Sequence, residues 1–496
     1  MGQINTIYRT SFGLLTDLYQ LTMAYGYWKL GRADDEAVFH LFFRKPPFGG
    51  GYAIAAGLTD VIDLLRGFRF ESSDLEYLAT LTGNDDKPLF EASFLKHLGG
   101  MTFTVDVDAV PEGTVVFANE PLVRVRGPIL HAQLLESALL NLVNFQTLIA
   151  TKAARVCAAA GHDAVLEFGL RRAHGIDGSL SASRAAYLGG CAATSNVLAG
   201  KLYGIPVKGT HAHSWVMAFD EEAASFEAYA KAMPNNCVFL VDTYDTLAGV
   251  RNAIDVGLRL RERGHEMVGI RLDSGDLAYL SIEARRLLDD AGFKDAVIVA
   301  SNDLNEHIIQ DLKVQGATIA VWGVGTKLVT AYDQPALGGV YKLGAIRPCG
   351  GVWAHRLKLS EQVIKINIPG ILQVRRFENH RGMIADMIYD ELTGVDDARL
   401  IVDPKNPTRR KKISSKASAR ELLVPITRSG EIVYEEEPLD VLRDRARTEL
   451  AKVHPGTRRF LNPHEYPVGL EPALHELRTR MIDEAREQIL DLAKIE

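Results

Sequence analysis

The stretch CVFLVDTYDTLAGVRNAIDVGLRLRERGHEMVGIRLDSGDLAYLSIEARRLLDDAGFKDAVIVASND (237–303) decides the fold. Three short apolar runs rich in β-branched residues, CVFLVD (237–242), MVGIRLD (267–273) and AVIVAS (296–301), alternate with helical stretches at 246–262 and 278–291. The step from run to run is about thirty residues, the size of a strand–helix unit whose strands lie parallel beneath covering helices. The same rhythm continues on both sides. AVLEF (164–168) and IPVKG (205–209) precede it, IAVWG (319–323) follows, and helical stretches at 183–202 and 303–315 lie between. Six such units in a row predict an α/β fold: an irregular parallel α/β barrel, short of the full count of eight.

The flanks read differently. TDLYQLTMAYGYWKL (16–30) is apolar at helical spacing behind the cap candidates Thr16 and Asp17. AVFHLFF (37–43) reads as a strand, and 101–107 and 114–126 alternate apolar with polar residues as an antiparallel sheet does. Residues 133–160 hold neither Gly nor Pro and predict one long helix or two abutting ones. Beyond 340, Gly350, Gly351, Pro369 and Gly370 punctuate short strands; the 400–420 region, containing DPKNPTRRKKISSKASAR, reads as a basic linker or exposed loop. Surface helices are expected at 438–451 and 471–493. We therefore expect an N-terminal mixed α+β domain (1–130), a catalytic α/β domain (131–340) and a C-terminal extension (341–496), part of it packing on the N-terminal domain.

Bulk properties narrow the class. With 56 Lys+Arg against 63 Asp+Glu, the 496-residue chain has a formal charge of -7 and offers no basic domain to a nucleic acid. Its four cysteines, Cys157, Cys191, Cys237 and Cys349, form no C-x-x-C, which argues against a disulfide scaffold or a cysteine-built zinc site and fits the cytoplasm. No apolar run is long enough to span a membrane, so no membrane association is expected. Gly2 and Thr6 meet the loose N-myristoylation pattern, which many unmodified chains also meet.

In parallel α/β folds, reactive groups gather on the loops after the strands. Here those loops carry Glu167, Phe168, Arg171 and Arg172; Thr210, His211 and His213; Asp242 and Thr243; Arg271, Asp273, Ser274 and Asp276; Ser301, Asn302 and Asp303; and Gly323, Gly325, Thr326 and Lys327. WGVGTKL is a glycine turn entering a helix, suited to a phosphate but also to plain tight packing. It is neither a P-loop nor a dinucleotide fingerprint. Arg171 and Arg172 offer guanidinium forks for phosphate or carboxylate, or ordinary surface ion pairs. Asp273 with Asp276 could hold Mg²⁺ on a phosphorylated substrate, whereas Ser274 or Asp276 could simply cap the next helix. His211-Ala-His213 would suit a metal, but no further histidines sit at strand ends to complete a ligand set. An exposed neutral imidazole among phosphates is instead a good phosphoacceptor.

At these residues the sequence resembles the nicotinate phosphoribosyltransferase family. The likeness runs through LLTDLYQLTMAYGY (14–27), FFRKPPFGGGYAIAAGL (42–58), EFGLRRAHGIDG (167–178), TSNVLAGKLYGIPVKGTHAHSW (194–215), GIRLDSGDL (269–277), ASNDLNE (300–306) and WGVGTKLVTAYDQPALGGVYKL (322–343). The resemblance implies a cytoplasmic homodimer with shared active sites. It would join nicotinate to 5-phosphoribosyl-1-pyrophosphate with Mg²⁺, using ATP as cosubstrate. That chemistry is glycosyl transfer, ligase-like when ATP is coupled. It also implies roles: His213 as the histidine phosphorylated by ATP, Tyr19 as the aromatic lent to the partner's site, and Phe168 as the opposite face of the pyridine sandwich. Arg171, Thr210 and Arg271 become nicotinate or phosphate contacts, and Asp273 a ribose or magnesium contact. Ser301, Asn302, Gly323, Gly325 and Thr326 become the phosphate cradle. Ser195 stands where nicotinamide-preferring relatives carry Asp, which favours the acid over the amide. A nicotinamide-preferring enzyme and a catalytically silent binding protein are the alternatives; the resemblance gives His211 no role.

Overall fold

A computed structural model describes residues 11–360, 362, 365–395 and 399–493; Gly2 and Thr6 lie outside them. The chain divides into two compact units, one of residues 149–335 and one of 1–148 with 336–496.

The smaller unit carries the parallel sheet. Its strands are β1 (Ala164–Glu167), β2 (Ala193–Thr194), β3 (Val238–Leu240), β4 (Gly269–Leu272), β5 (Val297–Ala300) and β6 (Val321–Val324). They are ordered β2-β1-β6-β5-β4-β3, and every neighbouring pair is parallel. Among the described residues β2 and β3 remain edges, so the sheet is open. That corrects the expected barrel: six short strands form here, and no pairing joins the two ends. A second correction concerns IPVKG. Pro206 has no N–H to give a ladder, and the run contributes only a bridge, Thr194 to Val207, on the outer side of β2. The two-residue β2 takes its place in the sheet.

The helices follow the strands closely. Asp245 caps Thr246–Glu262, Asp276 caps Leu277–Asp290 and Asn305 caps Glu306–Val314, each side chain accepting first-turn amides. Asp276 Oδ1 takes the amides of Ala278 and Tyr279, both at 3.1 Å, so the capping role holds for this carboxylate. The apolar stretch near 133–160 forms two abutting helices, Ile129–Leu134 and Glu136–Ala160.

Among its described residues the larger unit holds two large sheets and a small two-stranded one, Ala53–Ile54 with Val115–Val116. In an antiparallel sheet of seven strands, Glu36–Phe43 lies between Gly339–Arg347 and Val123–Pro128. A mixed six-stranded sheet has Leu372–Asn379 and Gly382–Asp390 at its heart. The 400–420 region is part of this second sheet, as strands Leu400–Val402, Arg410–Lys412 and Ser418–Glu421. The linker expected there is thus replaced by strands; two of the three, Arg410–Lys412 and Ser418–Glu421, are outermost. Edge strands tolerate, and are protected by, such basic residues.

His40 ties the two sheets together. Its Nε2 accepts the Leu372 amide at 3.1 Å. Complete burial, and then the nearby Arg124, lower its pKa to about 3. The unfolded chain binds that proton near pH 6.5, so stability falls as pH drops from there toward 3. At pH 5 the loss from this residue is about 2 kcal/mol. Thermal melts at pH 7 and pH 5 should show His40→Gln, which keeps an acceptor near the Nε2 position, losing less than the parent chain. Equal losses would mean that the folded protein protonates His40.

Candidate active site

The carboxyl ends of the parallel strands build one polar cluster. Arg271, one residue from the end of β4, faces away from its buried neighbours Ile270 and Leu272. Each of its three guanidinium nitrogens has a partner. Nε donates to Ser301 Oγ at 2.9 Å, Nη1 to Thr210 Oγ1 at 3.0 Å and Nη2 to Asp273 Oδ1 at 2.9 Å. In-register pairing of β4 with β5, Leu272 opposite Ala300, sets Asp273 beside Ser301, and the Ser301 hydroxyl donates to the same Asp273 oxygen.

Burial alone would raise the Asp273 pKa. The Ser301 hydroxyl, the Arg271 guanidinium and His213 together outweigh it and hold the carboxyl below its ordinary value. Its Oδ2 takes no hydrogen bond among the described residues and lies 3.7 Å from His213 Nε2. His213 opens the short helix His213–Met217, and its Nδ1 is 3.1 Å from Thr243 Oγ1. One Asp242 oxygen accepts the Asp273 amide (2.8 Å) and the Ser274 hydroxyl (2.6 Å), locking the loops after β3 and β4 together.

His211 points elsewhere. Its Nε2 accepts the Leu240 amide at 3.2 Å, and its ring packs edge-on against Tyr229 with centroids 4.9 Å apart. Burial lowers its pKa, so it is a neutral imidazole carrying its proton on Nδ1. It pins the loop that presents Thr210 and His213, which supplies the role the sequence left open. With its Nε2 occupied, the two histidines do not form a metal pair. No cluster of three or more His, Cys, Asp or Glu suited to a metal exists among the described residues.

The loops after β1 and β6 meet on the other side of Arg271. The Phe168 ring lies 5.9 Å from the Arg271 guanidinium carbon. A Cβ at Gly323 would come within 2.7 Å of that ring, so glycine is what admits Phe168 to the site. A Cβ at Gly325 would sit 2.9 Å from the Phe168 carbonyl, and Thr326 opens the helix Thr326–Val329 just beyond. Arg171 and Arg172 are exposed on the turn Leu170–Arg172, with no ion pair among the described residues. Ser195 is anchored through its amide to the Glu167 carbonyl at 2.9 Å. Asn302 is exposed with φ 91°, a conformation uncommon outside glycine. Tyr19 belongs to the larger unit, half exposed in the first turn of helix Leu18–Lys29. Burial and the carboxylates of Glu136 and Asp17 raise its phenol pKa.

Glu167 organises this side without reaching the surface. Its carboxylate takes the Gly169 amide, the Ser183 hydroxyl (2.8 Å) and the Thr194 hydroxyl (2.5 Å) while only 1% exposed. Asn196 joins through Ser183 and Thr194. Sequence reasoning misses Ser183 and Thr194, since nothing there marks hydroxyls 16 and 27 residues away as partners of one carboxylate.

Comparison with known proteins bears on the whole chain. Three family profiles match in order: the nicotinate phosphoribosyltransferase (NAPRTase) N-terminal domain at residues 14–144, the NAPRTase family at 164–347 and the C-terminal domain at 373–478. The chain belongs to the nicotinate phosphoribosyltransferase family. Among family members, the nicotinate phosphoribosyltransferase of Bacillus subtilis (strain 168) is 44% identical over 491 residues, covering 96% of this chain and 98% of its own. The Homo sapiens member is 38% identical over 525 residues, covering 94% and 95%. The crystal structure of human nicotinic acid phosphoribosyltransferase superposes with a TM-score of 0.82 at 34% identity, covering 94% of this chain and all of that one. The mixed α/β architecture with its parallel sheet is therefore the family's. No described helix is long and apolar enough to cross a membrane.

Proposed function

We propose that this protein is a cytoplasmic nicotinate phosphoribosyltransferase. The pyridine nitrogen of nicotinate attacks the anomeric carbon of 5-phosphoribosyl-1-pyrophosphate. The C1–O bond to pyrophosphate breaks, and the leaving group keeps the electron pair. Nicotinate mononucleotide and pyrophosphate result. The nucleophile already has its lone pair, so no general base is needed. The protein's task is to position two anions and compensate charge in an oxocarbenium-like transition state.

One observation carries this reading: Arg271 held by Ser301, Thr210 and Asp273 at the strand ends, in a chain 44% identical to a nicotinate phosphoribosyltransferase. An arginine oriented through three partners presents a fixed positive charge where a phosphorylated sugar needs one. Arg171, unpaired among the described residues, is available to the nicotinate carboxylate, and Phe168 gives the pyridine ring a flat neighbour. Ser301, Asn302, Gly323, Gly325 and Thr326 are assigned the phosphate oxygens. Ser195, lacking a fixed charge, leaves room for a carboxylate substrate. Tyr19 is carried as the ring that one protomer of a homodimer lends to its partner's site.

The donor set suits Mg²⁺. Asp273 is an ionised hard-oxygen ligand with Oδ2 free of hydrogen bonds among the described residues, and magnesium on phosphorylated substrates often takes one protein carboxylate and completes its shell with water and phosphate. Bound there, the ion would neutralise charge on the departing pyrophosphate. ATP enters as cosubstrate through His213. In the tautomer that donates Nδ1–H to Thr243 Oγ1, the Nε2 lone pair attacks the γ-phosphorus, releasing ADP; water later cleaves the N–P bond.

Incubation with nicotinate, 5-phosphoribosyl-1-pyrophosphate and Mg²⁺ should yield the mononucleotide, faster when ATP is added. Turnover of nicotinamide equal to or better than that of nicotinate would defeat the assignment of Ser195.

A further inference from the structure

Inside the smaller unit, away from the strand-end cluster, lies a second set of charges that the proposed reaction does not use. Lys152, on the helix Glu136–Ala160, has a side chain that is 0% exposed. Its ammonium sits 2.7 Å from Glu306 Oε2 and 2.5 Å from Asp333 Oδ2. One turn on, the buried Arg155 donates Nε to Glu306 Oε1 at 2.8 Å. Burial alone would raise the pKa of both carboxyls. Lys152, joined by Arg155 at Glu306 and by Lys327 and His307 at Asp333, holds both below their ordinary values, so the bridge is between ions.

The two carboxylates stand at the roots of two loops. Glu306 opens the helix Glu306–Val314, just beyond the loop of Ser301, Asn302 and Asp303 that leaves β5. Asn302 and Asp303 both take positive φ, 91° and 30°, a conformation uncommon outside glycine and sustained here by anchoring on either side. Ser301 is held by Arg271 and Asp273, and Glu306 by Lys152 and Arg155. Asp333 follows the helix Thr326–Val329 that leaves β6. The segment before it is tied back to that helix, the Tyr332 amide to the Lys327 carbonyl at 3.4 Å and the Thr330 hydroxyl to the Thr326 carbonyl at 2.7 Å. One ammonium thus spans both loops. A buried ion pair is a poor source of stability, because desolvation of the two charges offsets their attraction. What it fixes is distance.

We propose that Lys152 is a positioning residue for the sugar phosphate. By binding Glu306 and Asp333 together, it sets the spacing between the loop of Ser301 and Asn302 and the turn of Gly325 and Thr326. The proposal rests on the reading of those four residues as the phosphate cradle. Lys152 itself has no exposed surface and touches no substrate. The rival account is a structural ion network whose loss lowers stability and nothing else.

Asp333 supplies the decisive variant, since its side chain is 40% exposed and its loss bears least on folding. Charge and geometry predict opposite signs there. Removing an anion from the neighbourhood of Lys327 would by charge alone tighten the binding of a phosphate, whereas loosening the two loops weakens it. In steady-state kinetics on the full-length protein, Asp333→Ala should raise KM for 5-phosphoribosyl-1-pyrophosphate at least fivefold. KM for nicotinate and kcat should stay within twofold. Asp333→Asn, which keeps an acceptor for the ammonium, should recover part of the loss. Lys152→Met should raise the same KM at least as much, and adding Asp333→Ala to it should change KM by less than twofold, the bridge being already broken. Lys313→Ala cuts the contact with Asp163 at the far end of the Glu306–Val314 helix, and should lower the melting temperature while leaving KM at the parent value.

If Lys152→Met does not fold, the two Asp333 variants still decide. An unchanged or lowered KM for the phosphorylated sugar in Asp333→Ala, equal rises for both substrates, multiplying effects in the double variant, or the same rise in Lys313→Ala would each overturn the proposal. Calorimetric titration with 5-phosphoribosyl-1-pyrophosphate reads the cradle without turnover, and Asp333→Ala should bind at least fivefold more weakly than the parent. A parent chain that binds this sugar without forming the mononucleotide would defeat the proposed function alone; one that does not bind it would defeat both.

Discussion

Arg271→Ala should lower kcat/KM for 5-phosphoribosyl-1-pyrophosphate by roughly 10²–10³-fold, the scale seen when one preorganised charge-stabilising donor is removed from an active site. Three connections vanish together. The hydroxyls of Ser301 and Thr210 lose the group that orients them, and Asp273 loses its cation. With burial then opposed only by Ser301 and His213, the Asp273 pKa should rise. The acidic limb of the pH–rate profile should therefore move to higher pH. Arg271→Lys separates charge from geometry. An ammonium supplies the charge but cannot reach three partners in one plane, so it should recover only part of the loss. An Arg271→Ala chain within about threefold of the parent would remove Arg271 from the site, since losing such a donor from a reacting centre costs about a hundredfold at the least.

What the sequence makes legible divides along physical lines. Strands β1 and β3 to β6 are visible because strands of a parallel sheet covered on both faces read as continuous apolar runs. Two-residue β2 has no such signature, and its place falls to IPVKG, whose composition is right but whose proline denies it a ladder. Whether the sheet closes depends on twist and strand tilt, which residue patterns do not encode. The basic 400–420 region looks like a linker because the charges that guard a sheet edge are also those of a solvated loop. In the site, strand-end position alone selects Arg271, Asp273, Ser301 and His213, which the fold then joins by direct contacts. The partition between the two histidines is not legible. H-x-H places both on one face only if the segment is extended, and here a helix begins at His213 while His211 turns to the Leu240 amide. The purpose of Gly323 is also hidden. The glycine turn reads as a phosphate cradle, yet the observed need is space for the Phe168 ring.

His213→Ala should abolish labelling of the protein by γ-labelled ATP. His213 is the imidazole that reaches the strand-end polar cluster, 3.7 Å from Asp273, whereas the Nε2 of His211 is occupied and its ring is buried. The parent chain should carry an acid-labile, alkali-stable phosphate, as an N–P bond requires. His213→Ala should also lose the stimulation by ATP while keeping the slower ATP-independent formation of mononucleotide, because Arg271, Ser301 and Thr210 remain linked without it. Thr243→Val provides a finer test. Removing the Nδ1 partner frees the imidazole to carry its proton on either nitrogen, so labelling should slow several-fold without vanishing. Undiminished label on His213→Ala would show that phosphoryl transfer uses another residue. Loss of the label with ATP stimulation intact would separate His213 from the energetic coupling, leaving the nucleotide to act elsewhere on the protein.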